Sequence, residues 1–97
     1  MENLNQVKKL VGNTPLVKYK PNIFCKFECY NPTGSIKDRI VFYIISEAIK
    51  NGTLKPNQTI IETSSGNTGI SVSFVSGLLG HPCKIIMPRD MSIERQN

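Results

Sequence analysis

At 97 residues, with 39% hydrophobic and 20% charged side chains, the chain has the length and composition of one globular domain with a modest core. It contains no apolar run near the roughly 18 residues of a membrane span, and "MENLNQVKK" carries no apolar segment after its charges. A membrane span and a secretory signal are excluded on this reading, and the expected location is the cytoplasm. The net charge of +5 raises nucleic-acid binding, but the twelve basic residues scatter from Lys8 to Arg95 with no run longer than Lys8-Lys9. That pattern reads as a solvated basic surface, and no nucleic-acid partner is expected.

In chain order, Leu16 to Tyr19 reads as a short extended run after the turn in "GNTP". Pro21-Asn22 then turns the chain into "IFCKFE", Ile23 to Glu28, so a β-hairpin is expected. Cys25 alternates with Ile23 and Phe27 and is expected to be a buried, reduced thiol. With Cys29, His81 and Cys83 it could supply four zinc ligands, but these spacings match no common structural zinc pattern, and no metal is expected.

The segment after "NPTG" has the clearest helical pattern. Ile36, Ile40, Ile44 and Ala48 recur every four residues, and Val41 and Ile45 widen the stripe, as on a core-facing helix. Ser35 and Asp38 fit a short capping box, and Gly52 suits the left-handed position after a helix ending near Lys50-Asn51. Thr59 to Glu62 reads as a buried strand, "ISVSFVSGLLG" as a buried helix ending at Gly80, and Cys83 to Pro88 as another strand. Helix, strand, helix, strand in that order predicts parallel strands joined by helical crossovers, an α/β fold. Ser92, with Glu94 behind it, looks like the cap of one more helix. Little chain follows, which reads as a frayed tail or as a truncated domain.

Two loops carry chemistry-bearing residues. Lys37 falls in the first turn of its helix, where roughly half a positive elementary charge repels an ammonium. A lysine is a nucleophile only when neutral, and its reference pKa is near 10.4. A helix N-terminus and apolar surroundings both disfavour the charged form, with Arg39 acting in the same sense and Asp38 and Glu28 against it. Schiff-base chemistry fits this position. A lysine that snorkels to solvent fits it too. The second loop, "ETSSGNTG", runs from Glu62 to Gly69 between a strand and a helix. Ser64, Ser65 and Thr68 offer hydroxyls, Gly66 admits a ligand close to the backbone, and the helix start offers unpaired N–H donors. That suits a carboxylate or a phosphate, but no Gly-Lys-Ser/Thr ends the loop as in a Walker motif. Ordinary helix capping by Ser65 or Asn67 is the alternative.

"GNTPLV", "NPTGSIKDR", "TSSGNTG" and "MPRDMSIER" follow one another here in the order found in cysteine synthases and cystathionine β-synthases. From Val11 to Arg95 the chain resembles these fold type II pyridoxal-phosphate enzymes. The resemblance implies pyridoxal 5'-phosphate as cofactor and Lys37 as the lysine that forms a Schiff base with it. Asn67 resembles the asparagine whose amide approaches the cofactor's ring oxygen. Ser64, Ser65, Gly66, Asn67 and Thr68 resemble the loop that grips the substrate's α-carboxylate. The implied reaction is β-replacement on an amino acid such as O-acetylserine, in which Lys37 removes and returns the α-proton and sulfide replaces acetate to give cysteine. The implied assembly of the full-length form is a homodimer.

Gly69 after Thr68, and Ile36 before Lys37, separate the chain from threonine synthases, which commonly carry alanine and phenylalanine there. "SGNT" separates it from dehydratases, whereas siderophore-precursor synthases and cystathionine β-synthase remain close. The family's glycine-rich phosphate loop and the hydroxyl residue at the pyridine nitrogen lie downstream of these motifs and have no counterpart here. The resemblance therefore implies the N-terminal portion of a longer enzyme, with residues 1–30 as an arm and hairpin and residues 31–97 as part of a small α/β domain. In fold terms this is a fragment of a three-layer parallel-sheet domain preceded by a β-hairpin. Alone, the chain is expected to be inactive. A non-catalytic, truncated paralogue that binds or regulates a partner is the competing reading.

Overall fold

The computed structural model describes residues 2–64 and 66–88. Helix α1 spans Glu2–Leu10, strands β1 and β2 span Leu16–Lys20 and Ile23–Lys26, and a single 3-10 turn spans Glu28–Tyr30. Helix α2 follows at Lys37–Lys50, then β3 at Ile60–Thr63, α3 at Asn67–Leu78 and β4 at Cys83–Ile86. The helix expected at Ser92 lies outside the described residues.

Helix α1 has no counterpart in the sequence expectations, because its apolar content is thin. Leu4 and Val7, three apart and therefore on one face, are both buried, while Lys8 and Lys9 fall in the last turn where the helix dipole favours cations. The expected hairpin is present: β1 and β2 pair antiparallel from Leu16↔Lys26 to Lys18↔Phe24, with the register shifting before Lys20. Its side chains are less buried than expected. Cys25 is only half-buried, and Ile23 and Phe27 are exposed, since no helix of the described residues packs on either strand.

The core lies between α2, α3 and the second sheet. Val41 and Ile45 of α2 meet Val72 and Val75 of α3, and Ile60, Cys83 and Ile85 close the cluster from the strands. The buried face of α2 therefore runs through Asp38, Val41 and Ile45. The stripe Ile36, Ile40 and Ile44, expected to be core, is 50%, 47% and 58% exposed. The cause is geometric. That stripe lies about 100° around the helix from Val41 and Ile45, and only one of the two faces meets α3. Helix α2 ends as expected: Gly52 takes φ +81° and its N–H reaches the Ile49 carbonyl.

Strands β3 and β4 are parallel, in register from Ile60↔Cys83 to Thr63↔Ile86, with α3 as the crossover between them. Their side chains alternate. Ile60 and Ile85 face the helices, while Ile61 and Ile86 on the other face are 63% and 55% exposed. This is the α/β architecture that the order of elements implies. It is also thin, 48 × 38 × 16 Å, so few side chains reach full burial.

Candidate active site

The turn that leads into α2 is built from polar side chains that reach far along the chain. Asn31 is buried; its Oδ1 accepts the Gly12 N–H at 2.7 Å, and its Nδ2 donates to the Glu28 carbonyl at 2.9 Å and to Glu28 Oε1 at 3.1 Å. Arg39 Nε donates to the same Oε1 at 2.5 Å, Arg39 Nη2 to Oε2 at 3.2 Å, and the Thr14 hydroxyl also donates to Oε2. Arg39 beside it, then Thr14 and Asn31, hold the Glu28 carboxyl at a pKa of about 2, against some opposition from desolvation. Glu28 in turn raises the Arg39 guanidinium. The sequence left both as charges that bear on Lys37; the fold spends each on the other.

Asp38 departs from the sequence reading more sharply. A Ser35–Asp38 capping box would turn the Asp38 carboxyl back onto the Ser35 N–H. Instead Asp38 is 0% exposed, with Oδ2 accepting the Thr33 N–H at 2.8 Å and Oδ1 accepting the Thr33 hydroxyl at 2.6 Å. A third donor comes from the other helix: the Ser71 hydroxyl, also fully buried, reaches Oδ1 at 2.5 Å. Buried polar groups must find partners, and the Ser71 hydroxyl lies deeper than the half-buried Ser35 does. Ser35 still caps, but alone, its Oγ accepting the Lys37 N–H at 3.2 Å. Lys37 itself is half-buried at the first position of α2, and its Nζ makes no hydrogen bond or ion pair with any described residue.

The turn that leads into α3 is self-contained. Ser64 continues the sheet, its N–H donating to the Ile86 carbonyl at 3.1 Å. Its Oγ then accepts the Gly69 N–H at 2.9 Å and the Gly66 N–H at 3.3 Å. The capping hydroxyl is thus that of Ser64, not of Ser65 or Asn67; Ser65 lies outside the described residues. Gly69 sits in tight packing: a Cβ there would stand 3.2 Å from Ser64 Oγ and 3.2 Å from Ile85 Cγ2, so its neighbours would have to give by a few tenths of an ångström. Asn67 is exposed at the first position of α3, and Thr68 behind it is half-buried.

The two turns lie at the same end of the molecule, because Asp38 in the first turn of α2 bonds Ser71 in the second turn of α3. That end is also the carboxyl end of β3 and β4, where open parallel sheets place their ligands. Residues 7–97 match the model of the family described as pyridoxal-phosphate dependent enzymes.

The chain belongs to that family.

Among similar proteins, cysteine synthase B of Salmonella typhimurium is 42% identical over 100 residues, which cover 96% of this chain and 33% of that protein. The crystal structure of a hydrogen sulfide-producing enzyme from Fusobacterium nucleatum superposes with a TM-score of 0.88 at 43% identity, over 98% of this chain and 30% of the other. O-Acetyl serine sulfhydrylase isoform 3 from Entamoeba histolytica gives 0.85 at 44% identity, over 93% and 30%. The chain thus spans about a third of the length of the relatives it matches.

The fold brings the Lys37 turn and the loop around Ser64, Gly66, Asn67 and Thr68 to one end. Thr33 and Ser71 are the residues that sequence reasoning passed over there, and Asp38 it read only as a cap and a nearby charge. The available signal was Ser71 itself: a hydroxyl in an apolar helix segment asks for a buried partner. No helix of the described residues is long and apolar enough to cross a membrane.

Proposed function

We propose that this chain carries the lysine and the carboxylate loop of a pyridoxal-phosphate-dependent β-replacement enzyme, making cysteine from O-acetylserine and sulfide in the cytoplasm, as a homodimer in its longer form. The observation that carries the reading is the joining of the Lys37 turn to the start of α3 at the carboxyl end of a parallel strand pair. The residues fit the cofactor. Lys37 offers an amine with no partner among the described residues, and α3 opens with Asn67 exposed at its first position.

Each residue then has one task. Lys37 would hold the cofactor through its amine, and that amine would take the proton from the substrate's Cα and later return it. Bound pyridoxal phosphate supplies the electron sink that makes this proton removable. Ser65, Thr68 and the free N–H groups at the start of α3 hold the α-carboxylate, with the Gly66 backbone open to it. Ser64 shapes that loop through its cap to Gly66 and Gly69. Asn67 would help hold the cofactor through its side-chain amide. With the carboxylate held, the substrate's Cα–H bond would be turned toward Lys37, and sulfide would replace acetate at Cβ.

The test is chemical trapping. Incubation with pyridoxal phosphate, borohydride reduction and peptide mapping should place the pyridoxyl group on Lys37. Dominant labelling elsewhere would overturn the assignment, and Lys37→Ala should abolish the site-specific label while leaving the circular dichroism spectrum intact. Without the rest of a relative-length enzyme, cysteine formation is expected to stay at the rate given by free pyridoxal phosphate.

A further inference from the structure

We infer that Asp38 and Ser71 are positioning residues for Lys37: they lock the lysine-bearing turn to α3, one helical turn beyond Asn67. This rests on the reading of Lys37 as the cofactor lysine and adds what sets its place.

The inference starts from what Lys37 lacks. Its Nζ has no hydrogen-bond partner among the described residues, so its four-carbon stem is not aimed by contacts of its own. Where the amine can reach is set by where its Cα sits. The neighbouring residue fixes that Cα. Asp38 takes both the N–H and the hydroxyl of Thr33, at 2.8 and 2.6 Å, closing the turn over Gly34, Ser35 and Ile36 into a ring. The Ser71 hydroxyl, 2.5 Å from Asp38 Oδ1 and 3.4 Å from the Thr33 hydroxyl, then fastens that ring to α3. Ser71 stands four residues after Asn67, hence on the same face of the helix one turn on. A bond at Ser71 therefore sets the height of Lys37 against the helix start that carries Asn67.

Burial makes this joint stiff. Asp38 and Ser71 are both 0% exposed, so water cannot substitute for a lost partner at little cost. A merely stabilising contact could be spread over any part of the α2–α3 interface. This one sits in the residue directly after the lysine.

The probe is pyridoxal phosphate, and the readout is the share of the reduced pyridoxyl label found on Lys37 against the other lysines of the full 97-residue chain. Ser71→Ala removes one oxygen and should lower that share about three- to tenfold, with an unchanged circular dichroism spectrum. Asp38→Asn, which presents an amide to at least one donor, should lower it at least as far. Thr33→Ser keeps the hydroxyl and should retain the wild-type share. Should Ser71→Ala not fold, Thr33→Val removes a donor at a half-buried position and carries the same expectation. Folded Ser71→Ala and Asp38→Asn chains with the wild-type share would overturn the positioning role while leaving Lys37 as the cofactor lysine. A wild-type chain with no preference for Lys37 would overturn both.

Discussion

The turns before α2 and before α3 do the same job by opposite means. Each delivers a helix N-terminus to the same end of the molecule. The α3 turn is held from within six residues: Ser64 caps Gly66 and Gly69 and needs nothing further along the chain except β4. The α2 turn is held from a distance. Gly12 reaches Asn31, Arg39 and Thr14 reach Glu28, and Ser71 reaches Asp38, over separations of 11 to 33 residues. A locally capped loop can shift as a unit around its ligand, whereas a loop tied to three other segments keeps its lysine in one place. Of the proposed roles, gripping a substrate suits the first and presenting an amine suits the second.

The contrast can be broken at its strongest point. Asp38→Ala would orphan the buried Ser71 hydroxyl and the Thr33 N–H and leave a small void, so a loss of about 3 kcal/mol is expected in urea unfolding. Its effect should be non-additive with Ser71→Ala, because both remove the same bond. A fully additive pair would show that the joint is not one unit. The local turn should give way more gently. Ser64→Ala removes a cap whose N–H groups lie near the start of α3, and the expected loss is about 1 kcal/mol. Hydrogen exchange should then speed up at Gly66 and Gly69 and not at Thr33. Faster exchange at Thr33 as well would mean that the two turns are coupled through more than Asp38.

How much of this was legible follows the same division. Whatever depends on near neighbours could be read from sequence: the hairpin, the end of α2 at Gly52, both short strands, and the helix behind "SSGNTG". Their signals are turn residues and periodicity within a few positions. What depends on distant packing could not. The apolar residues of α2 mark a wide stripe but not which edge of it α3 will occupy; of that stripe Val41 and Ile45 are buried, while Ile36, Ile40 and Ile44 are not. Asp38 was one of several acids able to cap a helix, and only the placement of Ser71, 33 residues later, decides its partner. Helix α1 escaped because two apolar side chains, Leu4 and Val7, suffice when two other helices supply the rest of the surface. The family resemblance named the candidate residues more directly than the periodicity did, since two of its motifs, "NPTGSIKDR" and "TSSGNTG", run through the starts of α2 and α3.

The smallest effect probes the outer part of the long-range turn, where Glu28 holds Arg39, Thr14 and Asn31 together. Its carboxyl is held at about 2, below the ordinary 4.5, chiefly by the Arg39 guanidinium. A depressed carboxyl pKa means that the folded chain binds the proton less readily than the unfolded chain. Stability from this group is therefore fully present above about pH 4.5 and is lost as pH falls towards 2. The thermal midpoint should decline through that window, and Glu28→Gln should flatten this part of the profile while lowering the midpoint at neutral pH. The change should be modest, since the side chains of Arg39 and Glu28 keep 38% and 17% of their surface in water and salt screens such pairs. Raising the salt concentration should accordingly shrink the pH-dependent part and leave the loss in Asp38→Ala, which sits where ions do not reach, almost untouched. Equal salt sensitivity in the two variants would remove the distinction between an outer, solvated brace and an inner, dry one.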